Sequence, residues 1–277
     1  MNAFALVGGG RVSDSFVARL PRLARDLGPV AALSYRVASR IARTLRAGHA
    51  VPGFQHLQAC RLILLCVPAK QIPGALARLS ESLDWPGPTV LDCGPGADSR
   101  RLAELREQGA AVGSLRPVAG LANRLFVAEG DPAAVRAADR LAGRLGGRTE
   151  IVETERLDLY LAALTFGSSL FTPLLAAAAD CLREAGLSKA GVDQVSGALF
   201  EQSLRGYQYS GNRSWRGPLA AGDSQRVMGE LSALSRWRPR LAGYYRDSAR
   251  FALGYVGRHS KLRDSLGLTA AAAAAAG

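Results

Sequence analysis

No run of consecutive apolar residues approaches the roughly 18 that a membrane span requires; the longest, residues 62–67 and 174–179, are short. The N-terminus lacks the basic segment, apolar stretch and small-residue cleavage site of a secretory signal, so the expected location is the cytoplasm, with no membrane partner. Cysteine is scarce and unpaired in spacing. Cys60, Cys66, Cys93 and Cys181 contain no CxxC, and each sits among apolar or small neighbours, as reduced, buried thiols do. The three histidines, His49, His56 and His259, do not cluster with cysteines or carboxylates at ligand spacing, which leaves no metal site to expect. Lysine is nearly absent too. Only Lys70, Lys189 and Lys261 occur, so the net charge of +12 is almost entirely arginine. Those arginines are scattered along helix-like segments rather than gathered in a block, and charge without a motif argues against a nucleic-acid partner. The same positive potential suits an anionic ligand.

What is present is a chain of 277 residues, 48% hydrophobic, enough for two domains and a large core. Its first half alternates short apolar runs with amphipathic stretches. Strands are expected over residues 4–7, 30–33, 62–67, 89–92, 111–113, 124–129 and 150–152. Helical periodicity fills residues 12–26, 37–46, 71–83 and 99–108. A further helix starts where Asp131 can cap and Pro132 can take the first helical position, and it stops at Gly146-Gly147. This order predicts an α/β Rossmann domain with a mostly parallel sheet. The pattern then changes. Residues 157–185 read as one long helix, apolar on nearly every face, that Gly167 or Pro173 can bend. Helices at 192–204, 224–236 and 239–253 follow, with a polar, aromatic segment at 206–222 whose Tyr207, Tyr209, Asn212 and Trp215 suit a pocket or a subunit contact. The expected plan is a Rossmann domain over residues 1–153, an all-α C-terminal domain over 154–262, and a disordered alanine-rich tail at 263–277.

The first strand runs into Gly8-Gly9-Gly10-Arg11-Val12-Ser13. Gly8 permits the tight turn and Gly10 lets bare backbone approach a pyrophosphate. The helix that follows offers free amides and the positive end of its dipole. Ser13 stands where Gly or Ala is usual and is small enough to fit. About 20 residues on, at the end of the second strand, NAD-specific sites place a carboxylate on the ribose. Here the residues are Ser34-Tyr35-Arg36, with Arg40 one turn later and no acid nearby. A hydroxyl and a guanidinium suit a 2′-phosphate, so the expected cofactor is NADP (NADPH), although Arg36 and Arg40 also suit plain exposed helix positions. Cys66-Val67-Pro68 and Cys93-Gly94 end two further strands at the carboxyl edge of the sheet, where Val67, Pro68, Cys93 and Gly94 are candidate cofactor contacts. Lys70 fits a phosphate contact or a solvated position equally well.

The sequence resembles the bacterial Rossmann-like proteins whose helical C-terminal domain is of unknown function (the DUF2520 type). These are distant relatives of pyrroline-5-carboxylate reductase and the 6-phosphogluconate dehydrogenase superfamily. The resemblance spans about residues 3–253. It rests on the glycine loop, Cys66-Val67-Pro68, Gly113-Ser114-Leu115-Arg116-Pro117 and Phe126-Val127-Ala128-Glu129-Gly130-Asp131. In the second half it rests on Leu159-Tyr160-Leu161-Ala162-Ala163 and Arg216-Gly217-Pro218-Leu219-Ala220-Ala221-Gly222-Asp223. It implies an NADP-type oxidoreductase fold without an established substrate, and a homodimer through the helical domain; taken with the residues above, the leading expectation is an NADPH-dependent oxidoreductase reducing a small imine or carbonyl substrate of anionic character. Such relatives commonly carry histidine where this chain has Arg116 and Leu161. Arginine holds its proton at any accessible pH, so it can stabilise an anion but is a poor general acid. The residues left for a catalytic cleft are Arg116, Ser168 and Asp223, with Tyr160, Thr165 and Ser169 as further polar groups. Asp223 also suits a helix cap, and Ser168 close helix packing. The alternative is a catalytically inactive dinucleotide-binding regulatory or scaffolding protein.

Overall fold

The computed structural model describes residues 4–9, 25–94, 96–118 and 124–256. The expected helix over the residues up to 24 and the expected tail at 263–277 lie outside the described residues. Two compact units divide the chain, Met1–Leu164 and Thr165–Gly277, so the first unit extends further along the chain than residue 153.

The first unit is built on one sheet of eight strands: β1 (Phe4–Gly8), β2 (Leu27–Ala31), β3 (His49–Ala50), β4 (Leu62–Cys66), β5 (Thr89–Asp92), β6 (Val112–Pro117), β7 (Leu125–Gly130) and β8 (Arg148–Ile151). Their spatial order is β3-β2-β1-β4-β5-β6-β7-β8. Every neighbouring pair is parallel except β6 and β7, which are antiparallel with Ser114 opposite Glu129 and Arg116 opposite Val127. Alternate residues of a strand face opposite sides, and here they feed two separate cores. Phe4 and Leu6 join Leu64, Leu91 and Phe126 on one face. Ala5 and Val7 join Ile63, Leu65 and Val90 on the other. Helices α1 (Tyr35–Leu45) and α4 (Pro132–Arg144) cover the first face through Ile41, Ala138 and Leu141; α2 (Ile72–Ser82) and the short α3 (Ala103–Glu107) cover the second through Leu76, Leu79 and Leu105.

Several expectations shift. The second strand lies at Leu27–Ala31 rather than 30–33, and the two-residue β3 was not expected. The strand expected at 111–113 runs on through Pro117. Ser114 and Arg116 hid it, because their polarity breaks the apolar pattern while β7 satisfies them inside the sheet. Pro132 does open α4 and Asp131 holds its N-cap position, but the Asp131 side chain makes no cap bond. It accepts from the Val112 amide at 2.8 Å and the Arg106 guanidinium at 3.0 Å instead.

The second half is helical: α5 (Leu157–Gly167), α6 (Phe171–Glu184), α7 (Lys189–Ser210), α8 (Ser224–Trp237) and α9 (Pro239–Tyr255). The single helix expected at 157–185 is two, separated by a turn at 168–170 in which the Leu170 amide reaches the Thr165 carbonyl. The break follows Gly167, whereas Pro173 sits in the first turn of α6, where its missing N–H costs nothing. Helix α7 is longer than the expected 192–204, with the Ser188 hydroxyl capping it on the Gly191 amide at 3.2 Å. Among the described residues, one helical stretch, Thr154–Glu184, is long and apolar enough by composition to cross a membrane, with hydropathy 1.6 and none of that window buried. The core of the second unit is small: Val227 and Leu231 of α8 against Ala242, Ala249 and Leu253 of α9.

Candidate functional site

Parallel strands of one sheet deliver their carboxyl ends to one rim, and the crevice lies where the chain order reverses. Here that point is β1, flanked by β2 on one side and β4 on the other. Gly8 closes β1 in register with Cys66 of β4, and the Gly9 amide donates to the Cys66 carbonyl at 3.1 Å. A side chain at Gly9 would meet Pro68 and Val67 and the end of the Gln71 side chain, so bare backbone is required there. A side chain at Gly94 would lie 2.7 Å from the Val67 carbonyl oxygen, so the loops after β4 and β5 pack backbone to backbone. Gly8, Gly9, Val67, Pro68, Cys93 and Gly94 therefore share the rim. Gly10, Arg11, Val12 and Ser13 lie outside the described residues.

The loop after β5 is shaped by Asp92. Its carboxylate, fully buried, accepts from the Gly94 and Asp98 amides, each at 3.0 Å. Burial pushes this carboxyl above its usual range, and the two amides pull against the shift. Cys66 and Cys93 are buried side by side on neighbouring strands, and the hydrogen bond between them, with burial, holds the Cys93 thiol well above its ordinary value. Cys60 is likewise buried, whereas Cys181 is half-buried.

At the end of β2, Ser34 is the N-cap of α1. Its hydroxyl accepts from the Val37 amide at 3.4 Å. Ser34, Tyr35 and Arg36 are all exposed, and the first turn of α1 holds no acidic residue. An exposed helix start with a hydroxyl and a guanidinium, and no carboxylate to repel it, can receive a phosphate.

Beyond β5 the rim carries a cluster that sequence pattern alone did not expose. Glu129, fully buried on β7, accepts from the Ser99 amide at 2.8 Å, the Ser99 hydroxyl at 2.6 Å, the Ser114 hydroxyl at 2.6 Å and the Thr154 hydroxyl at 3.2 Å. Arg116, 7% exposed near the end of β6, donates from Nη2 to Ser114 Oγ at 2.8 Å and lies 3.5 Å from the Glu129 carboxylate. Its Nε and Nη1 are buried without a hydrogen-bond partner. Burial lowers the guanidinium from its ordinary value, with Glu129 opposing. The half-buried Tyr160 ring of α5 lies over this guanidinium, with Cζ 5.2 Å from the ring centre, a cation–π arrangement. Beside it Arg100 bridges Asp98 at 2.9 Å and Asp158 at 2.7 Å. Burial raises the Asp98 carboxyl, but the Arg100 bonds outweigh this and leave it below its usual range.

The other two sequence candidates lie in the second unit. Ser168 is exposed in the turn after α5. Asp223 caps α8, its carboxylate accepting from the Arg226 amide at 3.0 Å. Tyr207, Tyr209, Asn212 and Trp215 line an open cavity of about 920 Å³ together with Arg205 and Arg216. Among the described residues, no cluster of three or more metal-ligating side chains forms.

Residues 124–251 match the family described as Domain of unknown function (DUF2520). The similarity to that family takes in β7, α4 and β8 of the first unit as well as α5 to α8 and most of α9, so the matched stretch holds Glu129 and Tyr160 while Arg116 lies ahead of it. No curated protein is similar to the chain at a significant level. Three solved structures share its fold across nearly their whole length. Protein TM1727 from Thermotoga maritima is 16% identical with a TM-score of 0.67, covering 91% of this chain and 98% of its own. An imine reductase from Myxococcus stipitatus, solved as a variant with NAD+, is 15% identical with a TM-score of 0.62, covering 96% and 99%. A pyrroline-5-carboxylate reductase from Coxiella burnetii is 14% identical with a TM-score of 0.58, covering 90% and 98%. The architecture is thus a Rossmann sheet followed by a helical region, shared with reductases of this kind.

Proposed function

We propose that this protein is an NADPH-dependent oxidoreductase that reduces a small imine or carbonyl compound bearing an anionic group, and that it works as a homodimer. Arg116 carries the reading. A buried guanidinium with two nitrogens left without partners is costly, and at the carboxyl rim of a dinucleotide-type sheet an incoming carboxylate or phosphate relieves that cost. The residues present fit the cofactor. Gly8 and Gly9 form a turn packed too tightly against Ile41, Val67 and Pro68 for side chains, the pyrophosphate contact in this reading falling to Gly10; Ser34 and Arg36 offer a hydroxyl and a charge to a 2′-phosphate, and Cys93 and Gly94 would border the nicotinamide end. When bound, the dinucleotide supplies hydride; the protein's share is to orient the substrate, neutralise its charge at Arg116 and exclude water. Ser168 and Asp223 stay catalytic candidates by residue type alone, the first exposed in its turn and the second engaged as a helix cap.

The exposed apolar surface of α5 and α6 supports the dimer. A helix apolar on all sides needs cover, and the broken hydrogen-bond ladder at 168–170 suits a protein partner better than hydrocarbon. Phe166→Asp is expected to give monomers by sedimentation equilibrium. A second reading, a dinucleotide-binding protein without catalysis, draws on Leu161 and Arg116 standing where relatives commonly have histidine.

The deciding experiment titrates NADPH and NADH against wild type, Gly10→Asp and Arg36→Glu. NADPH is expected to bind at least tenfold more tightly than NADH; Arg36→Glu removes that preference and Gly10→Asp removes binding of both. Equal, negligible binding of the two cofactors by wild type ends the proposal. Tight NADPH binding with no oxidation against a panel of imines and carbonyls selects the second reading.

A further inference from the structure

A reduction of this kind needs a proton as well as a hydride, and among the described residues the rim offers few available ones. Arg116 keeps its proton. Asp92 accepts from two amides, Glu129 from four donors and Asp98 from Arg100. The hydroxyls of Ser99 and Ser114 are both spent on Glu129. Cys66 and Cys93 are buried against each other. His49 lies on the edge strand β3 and His56 on the turn at Phe54–Leu57, both exposed and both away from β5 and β6. Lys70 is exposed after β4, with β5 between it and the Arg116 strand. Among the described residues, Tyr160 is a titratable group near β6 that none of these bonds claims. It is half-buried, it lies against the Arg116 guanidinium, and its hydroxyl has no hydrogen-bond partner among the described residues.

We infer that Tyr160 is the proton donor of the reaction, with Arg116 as the positioning residue that holds its ring and stabilises the phenolate left behind. This rests on the reductase reading above. As the C=N or C=O carbon takes up hydride, the double-bond electron pair moves to the nitrogen or oxygen. The Tyr160 O–H bond breaks while the new N–H or O–H bond forms. The phenolate then recovers a proton from water, so each turnover consumes one hydride and one solvent proton. Two features suit the role. The phenol is uncharged and loaded at neutral pH, since burial pushes it above its ordinary value, and the Arg116 charge pulls against that shift, easing proton release at this one place. The same charge can hold the anionic end of the substrate beside the phenol, so binding and proton delivery converge on one guanidinium.

Tyr160→Phe keeps the ring and its cation–π contact, so the fold and NADPH affinity are expected to stay within about twofold of wild type. Turnover on any imine or carbonyl that wild type reduces is expected to fall by about 100- to 10,000-fold. A readout independent of turnover is the ultraviolet difference titration of tyrosinate. Subtracting Tyr160→Phe from wild type isolates the Tyr160 step, and Arg116→Gln is expected to move that step to higher pH, with Arg116→Lys restoring part of the shift. Wild-type turnover in Tyr160→Phe, or a Tyr160 titration indifferent to Arg116→Gln, overturns the assignment while leaving the reductase reading intact. Wild-type protein that binds NADPH and reduces nothing overturns both.

Discussion

The two units of this chain bury their apolar residues very differently. In the first, each strand feeds two cores at once, and Leu6, Ile63, Leu64, Leu65, Leu79, Leu91 and Leu102 are fully enclosed. In the second, five side chains of α8 and α9 make the core, while Phe166, Leu170, Leu199, Tyr207 and Tyr209 stand exposed. Both units are rich in apolar residues, so composition does not separate them. What separates them is geometry. A sheet covered by helices on both faces encloses its apolar residues within one copy of the chain. The helices of the second unit enclose a small core and leave much of their apolar surface exposed.

The largest expected effect tests whether the first unit's polar cluster is part of that enclosure. Glu129→Ala leaves Arg116 buried without its counter-charge and strips four donors of their acceptor, a class of change that costs about 3–5 kcal/mol. Urea unfolding should show it at any protein concentration. A loss under about 1 kcal/mol would mean that water already reaches the cluster. Next comes a matched pair across the two units. Leu91→Ala, within the sheet core, is expected to cost about 2–5 kcal/mol. Leu174→Ala, 40% exposed on α6, should cost no more than about 0.5 kcal/mol in dilute protein and, on the dimer proposed above, progressively more as concentration rises. Equal, concentration-independent costs would erase the contrast between the units.

The smallest effect separates the units by pH. Asp98 is held below its ordinary value by Arg100, so its contribution is complete above about pH 4 and is lost as pH falls through the depressed native value. Tyr245 of α9 lies the other way. Burial, then its bond to Glu230 at 2.8 Å, raises its phenol far above the ordinary value. Its contribution is therefore complete below about pH 10 and is lost on further rise. Asp98→Asn should flatten the acid limb of the stability profile and Tyr245→Phe the alkaline limb. The Asp98 effect is small, because Arg100 is well exposed to screening water. Interchanged limbs would contradict the placement of both groups.

Much of the first unit is legible in the sequence, and the reason is local. Strands β1, β4, β5 and β7 are short apolar runs with clear ends, and Asp131-Pro132 marks the start of α4 without reference to anything distant. The illegible parts depend on partners. Ser114 and Arg116 read as polar until β7 is set against β6, since only that pairing brings Glu129 to them. Asp131 has the sequence of a cap, yet Arg106 and the Val112 amide claim its carboxylate. Gly28 and Pro29 obscure β2, which continues through them because the neighbouring strands hold it. Tyr160 was visible only as one polar residue among several on an apolar helix; its place over Arg116 follows from how α5 leaves β8. The cap at Asp223 was readable as a type of residue and carries a cap bond; Ser34, read only as a phosphate contact, also caps its helix.

The antiparallel strand β7 also decides where this chain can be cut. The match to the helical family begins at residue 124, whereas the compact unit ends at Leu164, so the seam of sequence kinship and the seam of folding fall on opposite sides of Glu129. A fragment ending before residue 124 would keep the guanidinium and forfeit the carboxylate that neutralises it, opening the sheet at β6 with a charge in its flank. Any exchange of the matched stretch between relatives therefore carries β7, α4 and β8 along with the helices that follow.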